Sequence, residues 1–125
     1  MSKTVLLIED EDDIREVAQM SLELTMGWDV RAAESGREGV RIAKEVIPDA
    51  VLLDVMMPDM DGPATLQALR NEPATSAIPV IFLTAKVHSI EVERLIALGV
   101  AGVLAKPFDP MALGSQVSSL LGWQT

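Results

Sequence analysis

The sequence predicts an α/β protein, in which a five-stranded parallel sheet carries five helices on its two faces. Three observations support this fold class. Four short apolar runs and one short segment of alternating apolar and polar residues are interleaved with five longer segments whose apolar residues recur at helical spacing. Several of the runs are apolar at every position, which is typical of strands buried on both faces. The connections are short, so successive strands should pair in parallel through right-handed crossovers and form a doubly wound sheet.

The first three elements are a strand, a helix and an edge strand. Residues 4–8 are apolar after Thr4 and are followed by acidic residues, as expected of a buried strand that ends at the edge of a sheet. Residues 30–32 alternate apolar and polar side chains, which favours an edge strand. Between them, a helix is predicted from Asp12 or Asp13 to about Gly27. Its inward stripe comprises Ile14, Val17, Ala18 and Leu22.

A second helix, the central strand and a third helix follow. Ser35 and Glu38 form a capping box that opens the second helix, and Pro48 stops it. Residues 50–53 form a fully apolar run, which Asp54 closes with a carboxylate. Pro63 suits the first position of the third helix.

Two further strand–helix pairs complete the pattern. Residues 79–83 are a buried strand that delivers Thr84 to its end, and Gly99 closes the helix after it. Residues 102–105 are the fifth strand, and Asp109-Pro110 caps the last helix. The side chains predicted to face inward from these two helices are Val92, Leu95, Ile96, Leu113, Val117, Leu120 and Leu121.

Length, charge and composition narrow the function. At 125 residues the chain is expected to form one domain with a real core. Its net charge of −9 argues against nucleic-acid binding by this segment and allows a divalent cation or a basic protein surface as partner. No apolar run reaches membrane-spanning length and no signal peptide is evident, so we expect a cytoplasmic protein without membrane contact. The absence of cysteine excludes disulfides and thiolate metal sites.

Polar residues follow four of the five predicted strands. Glu9 and Asp10 follow the first, Asp54 ends the third, Thr84 the fourth, and Lys106 follows the fifth. Parallel strands place their carboxyl ends on one edge of the sheet, where open α/β sheets bind ligands. Three carboxylates gathered there repel one another by roughly 4 kcal/mol per pair at 4 Å and an effective dielectric of about 20, so a cation or a proton should enter. Oxygen ligands select Mg²⁺ or Mn²⁺.

This mixture of groups suits phosphoryl transfer. Asp54 would act as the nucleophile and become an aspartyl phosphate. A metal ion and Lys106 would neutralise charge on the phosphoryl oxygens, and Thr84 would donate a hydrogen bond to one of them. Positioning and charge, rather than further covalent chemistry, would then carry the reaction.

Four segments give the chain a family resemblance that spans nearly its whole length. They resemble the receiver domain of two-component response regulators and read Ile8-Glu9-Asp10-Glu11, Leu53-Asp54 through Asp61-Gly62, Leu83-Thr84-Ala85 and Lys106-Pro107-Phe108. The resemblance implies that residues 1–125 are one receiver domain with a flavodoxin-like sheet in the order 2-1-3-4-5. It also implies a signalling protein that assists its own phosphorylation and dephosphorylation, not an enzyme that turns over an external substrate.

The resemblance assigns a role to each site residue. Asp54 is the phosphoacceptor, Thr84 the switch hydroxyl, and Lys106 the partner of the phosphoryl group. Mg²⁺, with Mn²⁺ as a substitute, is held by Glu9, Asp10, Asp54 and the backbone carbonyl of Met56. The Lys106–Pro107 peptide bond is expected to be cis. The phosphodonor would be a histidine kinase, a histidine phosphotransfer protein or a small acyl phosphate, and the output would be an unknown downstream protein.

Three positions depart from the family pattern or vary within it. Val103 stands where receiver domains usually carry Tyr or Phe, so the aromatic half of the switch is absent. Met56 and Lys86 occupy the positions that govern how water reaches the aspartyl phosphate, and neither offers a carboxylate or an amide to position it. We therefore expect slow self-hydrolysis.

Several conspicuous side chains outside the strand ends are expected to take no part in the chemistry. His88 is expected to be exposed and inert, and the side chains of Met56, Met57 and Met60 are expected to pack in the loop after the third strand. Trp28 and Trp123 are expected at the rim of the core, at the sheet edge opposite the site.

Three other classes of protein share part of this pattern. A haloacid-dehalogenase-like phosphohydrolase normally carries its nucleophile after the first strand and an acid–base aspartate two residues later, where this chain has Met56. A flavin-binding module would need a glycine- or hydroxyl-rich phosphate loop, whereas Glu9-Asp10-Glu11 would repel phosphate. A degenerate receiver, acting as a phosphorylation-independent interaction module, would be expected to lack Asp54, Thr84 or Lys106.

Overall fold

A computed structural model of the chain describes residues 3–85 and 88–123. Strands and helices alternate through these residues. The strands are β1 (Thr4–Ile8), β2 (Asp29–Ala33), β3 (Ala50–Asp54), β4 (Val80–Thr84) and β5 (Gly102–Ala105). The helices are α1 (Asp12–Met26), α2 (Gly36–Val46), α3 (Gly62–Asn71), α4 (Ser89–Ile96) and α5 (Pro110–Leu121).

The strands form one parallel sheet in the order β2-β1-β3-β4-β5. The predicted fold class and strand order are therefore confirmed. The chain moves outward from β1 to β2 and then returns past β1 to β3. This change of direction leaves a crevice at the carboxyl ends of β1 and β3, the place where open α/β sheets bind ligands.

Side chains of the central strands alternate between two apolar layers, one on each face of the sheet. Val5 and Leu7 pack in the layer that contains residues of α1 and α5. Leu6 and Ile8 pack in the other layer, which contains residues of α2 and α3. Because both faces are covered, strands β3 and β4 are buried at every residue, as their uninterrupted apolar sequences predict.

Side-chain caps confirm the predicted starts of α2 and α5. Ser35 Oγ accepts a hydrogen bond from the Glu38 backbone N–H at 3.2 Å, and Asp109 Oδ1 accepts one from the Met111 N–H at 2.9 Å. At the end of α2, Ile47 adopts the left-handed conformation with φ +45° before Pro48. The helix therefore ends through Ile47, because a residue before proline is disfavoured in the right-handed helical region.

Three of the side chains predicted to face inward are largely exposed. Val17, Ile96 and Leu120 are 45%, 51% and 39% exposed. Each lies at the margin of its helix's apolar stripe, where the neighbouring element covers one side of the residue. Leu120, for example, still lies over Gly102, where an added Cβ would come within 2.7 Å of its Cδ1. Helical periodicity identified the correct face but overestimated its width.

The two tryptophans meet at the amino-terminal edge of the sheet. Trp28 precedes β2 and is buried, and Trp123 follows α5. Their rings are perpendicular with centroids 5.3 Å apart, and Lys3 Nζ lies 4.8 Å from the Trp123 ring centroid. Both tryptophans lie at the edge opposite the carboxyl ends of the strands, as predicted. Within residues 3–85 and 88–123, no helix has the length and apolarity needed to cross a membrane.

Candidate phosphoacceptor and metal site

The predicted site residues converge at the carboxyl edge of the sheet. Asp54 is the last residue of β3 and Thr84 the last of β4, and both are buried. Glu9 follows β1 directly and is also buried, and Asp10 beside it is half-buried. Lys106 follows β5, and its backbone N–H donates to the Thr84 carbonyl at 2.8 Å, which extends the ladder between the two strand ends.

The Lys106 ammonium group stands between two buried carboxylates. Its Nζ donates to Asp54 Oδ1 at 3.0 Å and to Glu9 Oε1 at 2.9 Å. Glu9 is 0% exposed and Asp54 2% exposed, so these ion pairs are shielded from water. The Lys106–Pro107 peptide bond is cis, as the resemblance implied.

Burial and the hydrogen bond from Lys106 act in opposite directions on the pKa of Asp54. Burial raises the pKa of its carboxyl group, the hydrogen bond from Lys106 lowers it, and the charge of Glu9 raises it again. The net result is a pKa raised to about 7. Repulsion among the carboxylates was the cause expected from the sequence, but desolvation is the larger one, because the strand end lies inside the core.

The Lys106 ammonium is held in its charged form. Burial lowers its pKa, but the hydrogen bonds to Glu9 and Asp54 outweigh that effect, and the net pKa is raised. The site therefore keeps one positive charge against three carboxylates, a balance that favours a proton on Asp54 or a further cation.

Three carboxylates are close enough to share a metal ion. One oxygen from each of Glu9, Asp10 and Asp54 lies within 4.8 Å of the others. Both oxygens of Glu9 already accept hydrogen bonds, from Lys106 and from the Glu11 N–H at 3.1 Å. Asp10 Oδ1 is buried and has no hydrogen-bond partner. A buried carboxylate oxygen without a donor is costly unless a cation satisfies it, so these residues fit a hard divalent ion.

The loop after β3 folds back against the strand end. The Gly62 N–H donates to the Val55 carbonyl at 2.9 Å, and a Cβ on Gly62 would lie 2.8 Å from the Asp54 carbonyl oxygen. Only glycine fits this approach. Met57 packs into the core, but Met56 is 61% exposed, so the prediction that its side chain packs is wrong.

Val103 lies opposite Phe82 in the β4–β5 register and is half-buried against the layer that contains α3. Lys86, one of the two residues on which the prediction of slow self-hydrolysis depends, lies outside the described residues. His88 is exposed, as predicted, and is the residue before α4.

Sequence reasoning missed one residue that positions the acidic turn. Arg15 donates from Nη1 to the Glu9 carbonyl at 3.0 Å and from Nη2 to Asp12 Oδ1 at 2.6 Å. It ties the start of α1 to the residues that follow β1. Its position one turn into α1, after a run of acidic residues, is the signal that could have pointed to it.

Taken together, these groups define a class of protein: an α/β domain with a buried, lysine-paired aspartate and an acidic metal-binding cluster at the carboxyl edge of its sheet. The family described as the response regulator receiver domain matches residues 5–118. The chain belongs to this family, and its general role is that of a phosphoacceptor domain in two-component signal transduction.

Curated relatives are transcriptional regulators. The chain is 38% identical over 117 residues to the transcriptional regulatory protein CseB of Streptomyces coelicolor, a match that covers 94% of this chain and 48% of that protein. It is 33% identical over 121 residues to the alkaline phosphatase synthesis transcriptional regulatory protein PhoP of Bacillus subtilis, covering 97% and 49%. The chain thus spans about half the length of the curated relatives it matches.

Solved structures share the fold over nearly their whole length. The chemotaxis protein CheY4 of Vibrio cholerae superposes with a TM-score of 0.88 at 28% identity, covering 96% of this chain and 99% of that one. The receiver domain of the sensor histidine kinase PA1611 of Pseudomonas aeruginosa has a TM-score of 0.85 at 28% identity, covering 98% and 99%. In that structure a magnesium ion is coordinated in the active-site cleft.

Proposed function

We propose that Asp54 accepts a phosphoryl group in a Mg²⁺-dependent reaction. The donor is the phosphohistidine of a histidine kinase or histidine phosphotransfer protein, or a small acyl phosphate. Phosphorylation then alters a protein-interaction surface that a downstream protein recognises. The domain turns over no external substrate in this scheme, since the phosphoryl group ends on its own side chain.

One observation carries the proposal: Lys106 Nζ bridges Asp54 and Glu9 at the carboxyl edge of the sheet. A carboxylate with only a structural role would be expected at the surface, where it stays hydrated and needs no more than one partner. Asp54 is instead buried on a site with excess negative charge. Such an arrangement costs stability, and strongly perturbed carboxylates of this kind cluster at functional sites.

The metal would be held by Glu9, Asp10 and Asp54, and the proposed fourth protein ligand is the Met56 carbonyl. When bound, Mg²⁺ supplies positive charge that stabilises phosphoryl oxygens and favours the ionised form of Asp54. The unpartnered Asp10 Oδ1 supports this assignment. The magnesium ion reported in the PA1611 receiver domain is consistent with it.

The chain's own groups would act as follows. An ionised Asp54 oxygen attacks phosphorus, a P–O bond forms, and the P–N bond of phosphohistidine breaks with its electron pair passing to the imidazole nitrogen. Lys106 transfers its hydrogen bond from the carboxylate to a phosphoryl oxygen. The Thr84 hydroxyl, at the end of the next strand, donates to a second oxygen and reports the phosphorylated state.

The proposal is tested by exposing the protein to acetyl phosphate with and without Mg²⁺ and measuring its intact mass. The parent should gain one phosphoryl group only with Mg²⁺, and Asp54→Asn should gain none. Asp59→Asn is the matched control, because Asp59 is an exposed carboxylate in the same loop. Its φ of +65° is a conformation that asparagine accepts readily. Labelling of Asp54→Asn would contradict the assignment, and an unlabelled parent would favour the degenerate receiver.

A further inference from the structure

Helix α4 is attached to the rest of the molecule unevenly. None of its residues, Ser89–Ile96, is fully buried, whereas every other helix buries at least three residues. Leu95, in its last turn, packs against the core layer of α3. At the other end, Ile90 is 62% exposed and His88 gives the helix no side-chain cap. Val92 is half-buried and Ile96 is 51% exposed, so Leu95 is the residue of α4 that packs against a buried core cluster, and it lies near the carboxyl end.

Arg70 strengthens the same end. It lies in the last turn of α3 and donates from Nη1 to the Leu98 carbonyl and from Nη2 to the Gly99 carbonyl at 2.9 Å. These carbonyls belong to the turn that closes α4, where the Leu98 and Gly99 N–H groups bond back to Leu95 and Ile96. A cation at this position also favours the negative end of the helix dipole.

Gly99 makes this contact possible. Its φ is +82°, a left-handed conformation that glycine adopts without strain. A Cβ there would lie 3.3 Å from Arg70 Nη2, closer than ordinary contact. Two nitrogens of the guanidinium thus donate to two successive carbonyls, an arrangement that suits arginine better than lysine.

We infer that Arg70 is a positioning residue that makes the carboxyl end of α4 a pivot. This inference rests on the proposed function, because the movement begins at the phosphorylated site. In the sequence, residues 85–88 separate Thr84, at the site, from Ser89, the first residue of α4. An eight-residue helix is about 12 Å long, so a small rotation about its fixed end displaces the residues near Ser89 most. Without the two hydrogen bonds from Arg70, a displacement of the amino end would loosen the whole helix rather than rotate it.

The test follows amide hydrogen exchange with and without beryllofluoride, a phosphoryl mimic, in the full chain. In the parent, exchange should change at Ser89–Val92 and stay constant at the amides of Ala97, Leu98 and Gly99. In Arg70→Ala, those three amides should exchange up to about tenfold faster even without the mimic, because two charged hydrogen bonds are lost. Adding the mimic should then change exchange along all of α4.

Two further variants separate the effect of the two Arg70 hydrogen bonds from the effect of its positive charge. Arg94→Ala removes an exposed arginine from the last turn of α4 itself and should leave the parent's pattern intact. Arg70→Lys keeps the charge but cannot bridge both carbonyls in parallel, and should rescue the pattern only in part.

The outcomes distinguish the inference from the function on which it rests. A parent whose amides do not respond to the mimic anywhere would overturn both. A parent that responds at the site but changes equally at both ends of α4 would overturn the pivot alone. So would an Arg70→Ala variant that keeps the parent's pattern.

Discussion

Lys106 Nζ lies 3.0 Å from Asp54 Oδ1, and this ion pair joins the ends of two strands that are not neighbours in the sheet. β4 separates them and ends in Thr84. The same ammonium also contacts Glu9 at 2.9 Å, so the pair is part of a buried triad with one positive and two negative groups. The uneven charge of this triad underlies the first three predictions.

Replacing Lys106 with methionine should destabilise the protein and abolish phosphorylation. The substitution keeps the length of the side chain but leaves two buried carboxylates without their cation. Breaking a buried pair in this way typically costs about 3–5 kcal/mol, and here protonation of Asp54 offsets part of that cost at low pH. The loss in unfolding free energy, measured in urea, should therefore be larger at pH 8 than at pH 5.

Lys44→Met is the matched control for this prediction. Lys44 Nζ pairs with Glu72 at 3.6 Å, and both side chains are well exposed. Surface pairs contribute about 0–1 kcal/mol. Equal losses in the two variants would show that the Lys106 triad has no special electrostatic role.

The contribution of Asp54 to the stability of the metal-free protein should fall as the pH rises from about 4 to about 7. The pKa of Asp54 is raised from 3.8 to about 7 in the folded state. Below pH 4 the carboxyl group is protonated in both states and costs nothing. Between the two pKa values the unfolded chain releases the proton and the folded chain retains it, so unfolding becomes easier. Above pH 7 the loss is constant, on the order of 4 kcal/mol at most.

Asp54→Asn isolates this contribution. The difference in unfolding free energy between the variant and the parent should favour the variant increasingly from pH 4 to pH 7 and then level off. Denaturant titrations at several pH values give that difference directly. A difference that is flat with pH would show that Asp54 is ionised throughout, with an ordinary pKa.

Mg²⁺ should raise the melting temperature of the parent and not that of Asp10→Ala. An ion that binds only the folded state stabilises it by about 2.7 kcal/mol at 100 times its dissociation constant. Asp10 is the residue to replace because its buried Oδ1 has no other partner. Asp13→Ala removes an exposed carboxylate from the first turn of α1 and should behave as the parent does.

The optical signal of this binding should be small. Trp28 and Trp123 pack edge to face at the opposite edge of the sheet, so their fluorescence should change little when the ion binds. A thermal shift in Asp10→Ala equal to that of the parent would place the ion elsewhere.

The sequence was sufficient for the fold and for the convergence of the site. Strand identity followed from apolar runs such as residues 50–53, and the rule that parallel strands share a carboxyl edge brought Asp54, Thr84 and Lys106 together. The strand order came from family resemblance, because apolar periodicity is the same for every arrangement of buried strands.

Long-range side-chain contacts could not be predicted in this way. Nothing in the spacing of Arg70 and Gly99 indicates that a guanidinium caps a turn 29 residues away. The width of an apolar stripe was overestimated at Val17 for a similar reason, because only the packed structure shows where a neighbouring helix stops covering it. The larger cause of the raised Asp54 pKa was also missed, since the degree of burial at a strand end is a property of the assembled core.

Met56→Asn should speed loss of the phosphoryl group. Met56 is 61% exposed and two residues from the proposed phosphoacceptor, where an amide could position attacking water. The amide would position the water but would not act as a base. The rate of phosphoryl loss should therefore rise by about tenfold, which is less than full acid–base catalysis provides. Phosphate release after removal of the donor measures the rate. Met111→Asn, at an exposed methionine of α5, should leave it unchanged, and equal rates in all three proteins would contradict the role of Met56.

Phosphorylation should be read out through the loop after β4 rather than through β5. Val103 is β-branched, half-buried and stiff, so it cannot swing between exposed and buried positions as an aromatic ring does. Thr84 and Lys106 can still make different contacts with and without a phosphoryl group, and that difference is what shifts a conformational equilibrium. With a phosphoryl mimic, amide shifts should concentrate in residues 84–90 and be small around Val103.

Two substitutions test this prediction directly. Thr84→Val keeps the shape of the side chain but removes its hydroxyl, and it should abolish the shifts in residues 84–90 while the mimic still binds. Val103→Ala should leave those shifts in place, because the valine does not carry the signal. The opposite pattern, with a quiet loop and a large rearrangement centred on Val103 in the parent, would place the switch in β5 and its surface.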